Sequence, residues 1–200
     1  MQEQEIRNNI ALQISNLSGD KIEAIESYLN ELTEAEKSQS ELSDKYLTFW
    51  SDGQLFGIGI RQVVQIIQMT QITPLPDFPP YIKGVLSIRG EMVPIMDLRL
   101  RLGRDEAAYS SRTCIIIVHI QDRSCGLVVD AVNTVETISE QDICPPPQQA
   151  NRDVSYLTGI ANRENIILIL AMEYLLSEKE IGAILDLSED LSEESQAVVE

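Results

Sequence analysis

The sequence has no apolar run long enough to cross a membrane as a helix. Its longest apolar runs are "IIIV" at 115–118 and "IILILAM" at 166–172, whereas a spanning helix needs roughly 20 apolar residues. The opening residues "MQEQEIRNN" are polar and acidic, unlike a signal peptide. We therefore expect a soluble cytoplasmic protein without direct membrane insertion.

Cysteine and histidine are scarce, which argues against a disulfide framework and against a metal site. The three cysteines, Cys114, Cys125 and Cys144, are odd in number and show no Cys-x-x-Cys spacing. We expect them to be reduced and mostly buried. The only histidine, His119, lies in the apolar segment "IIIVHI" and is interpreted as a structural or surface residue. The sequence predicts no metal and no cofactor.

Basic residues are outnumbered, with 15 Lys and Arg against 32 Asp and Glu, for a net charge of −17. The acidic excess lies at the two ends, because residues 1–44 and residues 178–200 carry −7 each and residues 45–177 only −3. A nucleic-acid-binding protein presents a basic surface. The sequence therefore predicts no nucleic-acid partner, and the acidic ends say little about what the central part binds.

No segment matches a catalytic or phosphate-binding motif. "GIGIRQ" at 57–62 begins like a phosphate loop, but Gln62 replaces the third glycine and no Walker lysine follows. Asp97 and Asp130 are predicted at strand ends, and two acids alone are weak evidence for paired carboxylates. The segment "DLRLRLGR" indicates either a solvated strand face or a binding patch. Its arginines are Arg99, Arg101 and Arg104.

The two ends are predicted to be helical extensions of a central domain. Residues 1–44 form an acidic N-terminal extension in which apolar residues recur at spacings of three and four. This pattern favours an amphipathic arm or tether, with a dimerising or partner-docking helix as the alternative. Residues 178–200 are interpreted as an acidic C-terminal helix or tail. The apolar positions of the extension are Ile6, Ile10, Ile14, Leu17, Ile22, Ile25, Leu29 and Leu32.

The central part, residues 45–177, reads as short β-strands separated by turn residues. Its strand-like segments include "YLTFW", "LFGIGI", "TCIIIVHI" and "NIILILAM", and "DG" at 52–53 predicts a hairpin turn. The same order of segments occurs twice at an offset of about 70 residues. "FGIGIRQVVQII" resembles "CGLVVDAVNTVE", and "ITPLPDFPP" corresponds to "ICPPPQQAN". "YIKGV" likewise corresponds to "YLTGI". We predict a duplicated, mainly β fold of two small barrels with short helices, in which strands can be exchanged between the copies.

The segment 84–98, "GVLSIRGEMVPIMDL", is predicted to be a hairpin. Alternation places Leu86 and Ile88 on one face and Arg89 on the other. Gly90 is expected at the first central position of the turn, where positive φ is needed. Pro94 is expected at an edge strand or bulge, because it cannot donate to a ladder. At the hairpin end Arg89 either presents its guanidinium to a partner carboxylate or pairs with a local acid such as Asp97 or Glu91.

These segments together resemble the CheW family of chemotaxis coupling proteins over roughly residues 45–177. The block "YIKGV-x-x-x-RG-x-x-x-P-x-x-DLR" is the most specific part of the resemblance. It implies two SH3-like five-stranded β-barrel subdomains with apolar packing between them. It also implies a non-enzymatic adaptor that joins the cytoplasmic tips of methyl-accepting chemotaxis receptors to the regulatory domain of the histidine kinase CheA. Such an adaptor is recruited to membrane-associated receptor arrays.

The resemblance also implies which residues bind. The receptor-coupling positions of the family fall on Val63, Gly84 and Arg89, and Ile60 and Gln65 are further candidate contacts. Asp97 matches the aspartate of the motif and is expected to orient the hairpin and to face solvent. The sequence departs from the family pattern at Gly59 and Gln65, where acids are usual, at Ser87 and at Ala171. The remaining positions treated as structural parts of the motif are Gly90, Pro94, Gly126 and Gly159.

A second class of function is compatible with the residues. A small-molecule-binding or hydrolytic β-barrel would use Asp97 and the arginines at 99–104, and it would require polar groups that converge on a pocket. The adaptor requires exposed surfaces for two partners instead. A ligand screen by thermal shift that is negative throughout would count against the ligand-binding or hydrolytic barrel.

Overall fold

The computed structural model describes Ile25, Ser27, residues 44–120, 123–146, 155–176, 179–180 and 182–184, and Asp186. Within these residues the chain forms eleven β-strands and a short α-helix, α1, at Leu98–Arg101. The described residues near the two ends, Ile25 and Ser27, residues 179–180 and 182–184, and Asp186, are also helical. The strands are β1 Lys45–Ser51, β2 Gln54–Gly59, β3 Val63–Gln68, β4 Ile82–Ile88, β5 Glu91–Asp97, β6 Cys114–Ile120, β7 Arg123–Val129, β8 Ala131–Thr137, β9 Ile143–Cys144, β10 Leu157–Asn162 and β11 Ile166–Leu170.

The strands form two sheets, and the predicted mainly β fold with two β subdomains is confirmed. The six-stranded sheet has the order β8-β1-β2-β11-β10-β9, and the five-stranded sheet has the order β3-β6-β7-β5-β4. In the described residues no pairing joins the outer strands of either sheet, so each subdomain is a curled sheet rather than a barrel closed by hydrogen bonds. The expected five strands per subdomain hold for one sheet, and β9 adds a sixth strand to the other.

The two repeats exchange their leading hairpins. The β1–β2 hairpin belongs to the first repeat but lies in the sheet of β8, β10 and β11, whereas the β6–β7 hairpin of the second repeat lies with β3, β4 and β5. Both sheets consequently contain one parallel pair at the equivalent place, β2 with β11 and β7 with β5. The repeats are therefore related by a pseudo-twofold axis, and neither repeat completes a sheet by itself.

A large apolar core joins the two sheets. Leu47 and Phe49 of the six-stranded sheet and Ile116 and Val118 of the five-stranded sheet belong to this one cluster. Alternate residues point the other way, so that Ile115 lies in a separate cluster within the five-stranded sheet. The six-stranded sheet has an equivalent cluster of its own, formed by Leu55, Ile138, Ala161, Ile167 and Ile169.

Both chain ends contribute to the shared core. Ile25 is 3% exposed and Ile184 is 0% exposed, and both belong to the cluster between the sheets. The other apolar positions that were predicted to line the N-terminal extension lie outside the described residues. The boundaries 1–44, 45–177 and 178–200 stay predictions. In the described part of the chain, no helix is long and apolar enough to span a membrane.

The β1–β2 turn and the β4–β5 turn have the same backbone geometry. The Asp52-Gly53 turn was predicted correctly, with φ of 52° and 70° at its central residues. The second turn consists of Arg89 and Gly90, with φ of 53° and 88°, between the paired residues Ile88 and Glu91. Gly90 is therefore the second central residue, and the predicted Gly90-Glu91 turn is wrong by one position. Two positive φ values match the twist of the flanking strands in a two-residue hairpin loop.

Pro94 lies in an interior strand, and the prediction of an edge or bulge position is wrong. β5 has β4 on one side and β7 on the other, and its parallel ladder with β7 starts one residue later, at Ile95. Val85 of β4 lies opposite Pro94. The carbonyl oxygen of Val85 accepts a hydrogen bond from Thr73 N–H at 3.0 Å, and its N–H donates one to the carbonyl oxygen of Thr73 at 2.9 Å. Neither neighbouring strand therefore requires an N–H at position 94.

The cysteines provide a simple test of the packing. Cys114 and Cys125 are buried and Cys144 is exposed. Burial raises the pKa of Cys114 to about 11 and that of Cys125 to about 12, so both stay protonated and unreactive at neutral pH. We expect Ellman's reagent at pH 8 to modify one thiol per folded chain and all three in denaturant. Rapid modification of a second thiol in the folded protein would contradict this packing.

Candidate functional site

A groove joins β3 to the β4–β5 turn and brings together two of the predicted binding residues, Gln65 and Arg89. Its volume is about 210 Å³. Apolar side chains from β3, β4, β5 and β6 form part of the lining, and polar residues from β3, the β4–β5 turn, β5 and β7 complete it. The lining residues are Val64, Gln65, Ile88, Arg89, Glu91, Val93, Ile117 and Ser124. We call this the first groove.

Arg89 lies at the tip of the β4–β5 hairpin, and its side chain is exposed. Within the described part of the chain, its guanidinium makes no hydrogen bond or ion pair, either with Asp97 or with Glu91. Of the two interpretations of Arg89, pairing with a local acid is therefore not observed. An exposed, unpaired guanidinium at this turn can bind a carboxylate in two-point geometry.

Val64 provides the exposed apolar contact beside Arg89, and the sequence analysis did not single it out. The pairing of β3 with β6 shifts between Val63 and Gln65, so Val64 lies in a bulge and is 48% exposed. Val63 and Ile60 were predicted as contacts but are 8% and 3% exposed and belong to the shared core. Any role of these two residues in binding stays a prediction and would act through the placement of Val64 and Gln65.

Gly84 is buried, and glycine is needed there because the backbone of another segment passes very close to it. Its φ is +133°, and a Cβ atom there would lie 1.9 Å from the carbonyl oxygen of Thr73. Thr73 begins the proline-rich crossing and pairs with Val85 through two backbone hydrogen bonds. Gly84 therefore fixes the path of the crossing at the base of the hairpin that ends in Arg89, and its own contribution to a binding surface stays a prediction.

Gly126 and Gly159 also lie at close approaches between elements. Gly126 is opposite Ile95 in the parallel β5–β7 pair, and its Cβ would be 2.4 Å from the Cδ1 atom of Ile95. A Cβ at Gly159 would be 2.2 Å from Cγ2 of Ile143, next to the second proline-rich crossing. Gly159 thus repeats the role of Gly84 in the other sheet, which explains the two Y-x-x-G segments.

Asp97 is 4% exposed, so the expectation that it faces solvent is wrong. Its carboxylate accepts a hydrogen bond from the backbone N–H of Leu100 at 3.2 Å and caps α1. It also accepts one from the hydroxyl of Tyr109 at 2.9 Å. Burial and the neighbouring Asp97 raise the pKa of Tyr109, so this donor stays protonated. At the equivalent position of the second repeat, Ala171 precedes a 3₁₀ turn without a side-chain cap.

The arginines that follow Asp97 are used in internal contacts. They lie on and after α1, so the predicted strand face is wrong. Arg99 donates hydrogen bonds to Asp52 at 2.6 Å and to Asp130 at 2.5 Å. Arg101 donates to the carbonyl oxygen of Leu175 at 2.6 Å. These contacts tie the β1–β2 turn, the β7–β8 connection and Leu175 to α1. Among the described residues they leave no converged set of free polar groups for the alternative ligand site.

Residues 45–180, more than half of the chain, match the family described as the CheW-like domain. The chain belongs to this family. The match begins at Lys45, the first residue of β1.

Relatives and a solved structure agree with this assignment. The chemotaxis protein CheW of Klebsiella aerogenes is 31% identical over 145 residues, covering 72% of this chain and 87% of that protein. The chemotaxis protein CheW of Bacillus subtilis is 32% identical over 145 residues, covering 72% of this chain and 92% of its own length. The crystal structure of the scaffolding protein TtCheW from Thermoanaerobacter tengcongensis matches with a TM-score of 0.65 at 33% identity, covering 69% of this chain and 97% of TtCheW. The sequence-based identification of a CheW-like domain is confirmed.

Proposed function

We propose that the protein is a non-enzymatic chemotaxis adaptor that joins the cytoplasmic tips of methyl-accepting receptors to the regulatory domain of the kinase CheA. It works in the cytoplasm and is recruited to receptor arrays at the membrane. Its CheW-like domain supports this proposal, because relatives of this family are chemotaxis proteins and one is a scaffolding protein. The receptor and kinase partners, and the absence of catalysis, are parts of the proposal.

The observation that carries the proposal is the unpaired, exposed Arg89 beside the exposed Val64. Val64 offers apolar area at the edge of a sheet, and Arg89 supplies a charge that fixes the orientation of an acidic partner segment. This combination suits a protein–protein contact. It does not provide a nucleophile or a convergent acid and base, as hydrolysis would require.

A charge reversal at Arg89 tests the proposal. Aspartate accepts positive φ, and Asp52 already occupies the same position in the other hairpin turn, so Arg89→Asp is expected to leave the fold intact. Replacing the guanidinium by a carboxylate places like charges together and is expected to weaken receptor binding by about thirtyfold or more, since truncating a hydrogen-bonded interface charge costs about 2–5 kcal/mol. Co-sedimentation with receptor arrays and control of kinase activity measure the effect.

Arg112→Asp is the matched control, because Arg112 is an exposed arginine outside the first groove. It changes the net charge equally and should bind receptor as the unchanged protein does. If Arg89→Asp co-sediments normally and still supports kinase control, Arg89 is not the coupling residue. If the unchanged protein binds neither receptor tip nor kinase domain, the adaptor proposal itself fails.

A further inference from the structure

Ile25 belongs to the N-terminal extension, yet it is buried in the core that the two sheets share. It is helical and 3% exposed, and it is part of the same apolar cluster as Leu47 of β1 and Ile116 of β6. The match to the CheW-like domain begins at Lys45. The shared core therefore contains a side chain that comes from outside this domain in sequence, and the adaptor proposal gives that side chain no role.

The helix at Ile25 has one face on the core and another face in solvent. Ser27, two residues later, is also helical and is exposed. Residues two positions apart point about 200° apart around an α-helix. Burial of Ile25 and exposure of Ser27 are therefore the pattern of an amphipathic helix that lies on an apolar surface.

The sequence on either side of Ile25 predicts that this amphipathic pattern continues. Apolar residues recur at spacings of three and four over residues 22–32, which places them on the face of Ile25. The glutamates of the same stretch fall on the face of Ser27 or at its border. The apolar positions are Ile22, Ile25, Leu29 and Leu32, and the glutamates are Glu23, Glu26 and Glu31.

The C-terminal segment packs on the shared core in the same way. Ile184 is helical and buried in the same cluster, and Asp186, two residues later, is exposed. Glu180 of this segment accepts a hydrogen bond from the Tyr81 hydroxyl at 2.7 Å. The core between the sheets therefore receives helical segments from both ends of the chain, and their isoleucines lie in one apolar cluster with the residues of both sheets.

The extension of the same chain is a stronger candidate for this place on the core than the extension of a second copy. Residues 26–44 connect Ile25 to β1. A segment joined to its site by so short a connection has an effective concentration on the order of millimolar, well above the micromolar concentration of a second copy. Moreover, Ile25 cannot line an interface between two extensions while it is buried in the core.

We propose that the shared core carries a docking site for an amphipathic helix, and that residues 22–32 of the same chain occupy it through Ile25. The extension is then docked on its own domain, and it neither hangs free as a tether nor joins two copies into a dimer. This inference goes beyond the proposed function and does not depend on which partners the adaptor binds.

Amide hydrogen exchange of the full-length protein, measured by mass spectrometry over residues 22–32, tests the docking. An isolated helix of this length is marginal in water. We therefore expect slow exchange in the protein and fast exchange in a synthetic peptide of residues 20–34. Ile25→Ala should accelerate exchange of residues 22–32 at least about tenfold, because it removes a buried side chain from its packing. Ser27→Ala is the matched control on the exposed face and should not accelerate it.

Ile25→Val is the milder variant to use if Ile25→Ala unfolds the domain, and a smaller acceleration of the same residues is expected. Sedimentation velocity identifies the occupant of the site. Slow exchange in a monomer supports docking within one chain, whereas slow exchange only in a dimer assigns the site to a second copy and overturns the inference. Exchange at the rate of the peptide, or equal effects of the Ile25 and Ser27 changes, also overturns it. A protein with slow exchange in this segment that binds neither receptor nor kinase would refute the adaptor function and support this inference.

Discussion

Gly84→Ala is expected to destabilise the protein by about 3 kcal/mol or more, the range of substitutions that force a residue into a forbidden backbone conformation and a steric clash. The new Cβ would lie 1.9 Å from the carbonyl oxygen of Thr73 and 2.7 Å from its carbonyl carbon, and φ is +133°. Both atoms belong to the backbone, so no side-chain rotation relieves the contact. Urea denaturation monitored by the fluorescence of Trp50, the single tryptophan, measures the change.

Gly90→Ala separates the two causes of this effect. Gly90 also has positive φ, +88°, but nothing lies within 4 Å of a Cβ built there. Its replacement should cost about 1–2 kcal/mol, the strain of a left-handed residue alone. Equal effects at the two glycines would show that the Thr73 contact is relieved by movement of the crossing. A large effect at Gly84 would also mean that loss of receptor binding in such a variant reports misfolding near Arg89 rather than a lost contact.

Asp97→Ala is expected to cost about 2–4 kcal/mol. The change removes a helix cap, worth about 1 kcal/mol, and an acceptor for the Tyr109 hydroxyl, worth about 1.5–3 kcal/mol as a hydrogen bond to a charged group. Asp97 is 4% exposed, whereas Tyr109 is 42% exposed and its hydroxyl can turn to water, so the loss is expected toward the lower end of this range. Thermal and urea unfolding measure the loss.

Tyr109→Phe removes one of the two donors and is the informative partner in a double-mutant cycle. If the hydroxyl bond contributes as expected, Tyr109→Phe costs about 1–2 kcal/mol in the presence of Asp97 and little in its absence. Additive effects of the two substitutions would show that Asp97 acts through the cap of α1 alone.

The duplicated β fold could be predicted from the sequence because both repeats preserve the same turn chemistry. The Asp52-Gly53 turn, the two Y-x-x-G segments and the paired proline-rich crossings each require a particular backbone geometry. Such requirements are local, so they are visible in a single sequence. The exchange of hairpins was anticipated only as a possibility, because which sheet a hairpin joins depends on long-range pairing.

The details of the candidate site were harder to predict. Whether Arg89 or Gly90 comes first in the turn depends on the pairing of Ile88 with Glu91, which alternation along β4 does not fix. The burial of Asp97 depends on Tyr109, which arrives from a loop twelve residues away in sequence. Val64 was missed because its exposure results from a bulge. A bulge adds one residue to the strand, so the positions that face inward and outward exchange from that point, and the alternation in the sequence no longer identifies the exposed side chains.

Two short connections link the sheets along the backbone. The chain passes from the six-stranded to the five-stranded sheet through the 3₁₀ turn Ile60–Gln62 and returns through a single residue, Asp130, between β7 and β8. Because both connections are short, they hold the two sheets next to each other. Any displacement of one sheet relative to the other is therefore limited twice, by these two links and by the apolar core that the sheets share.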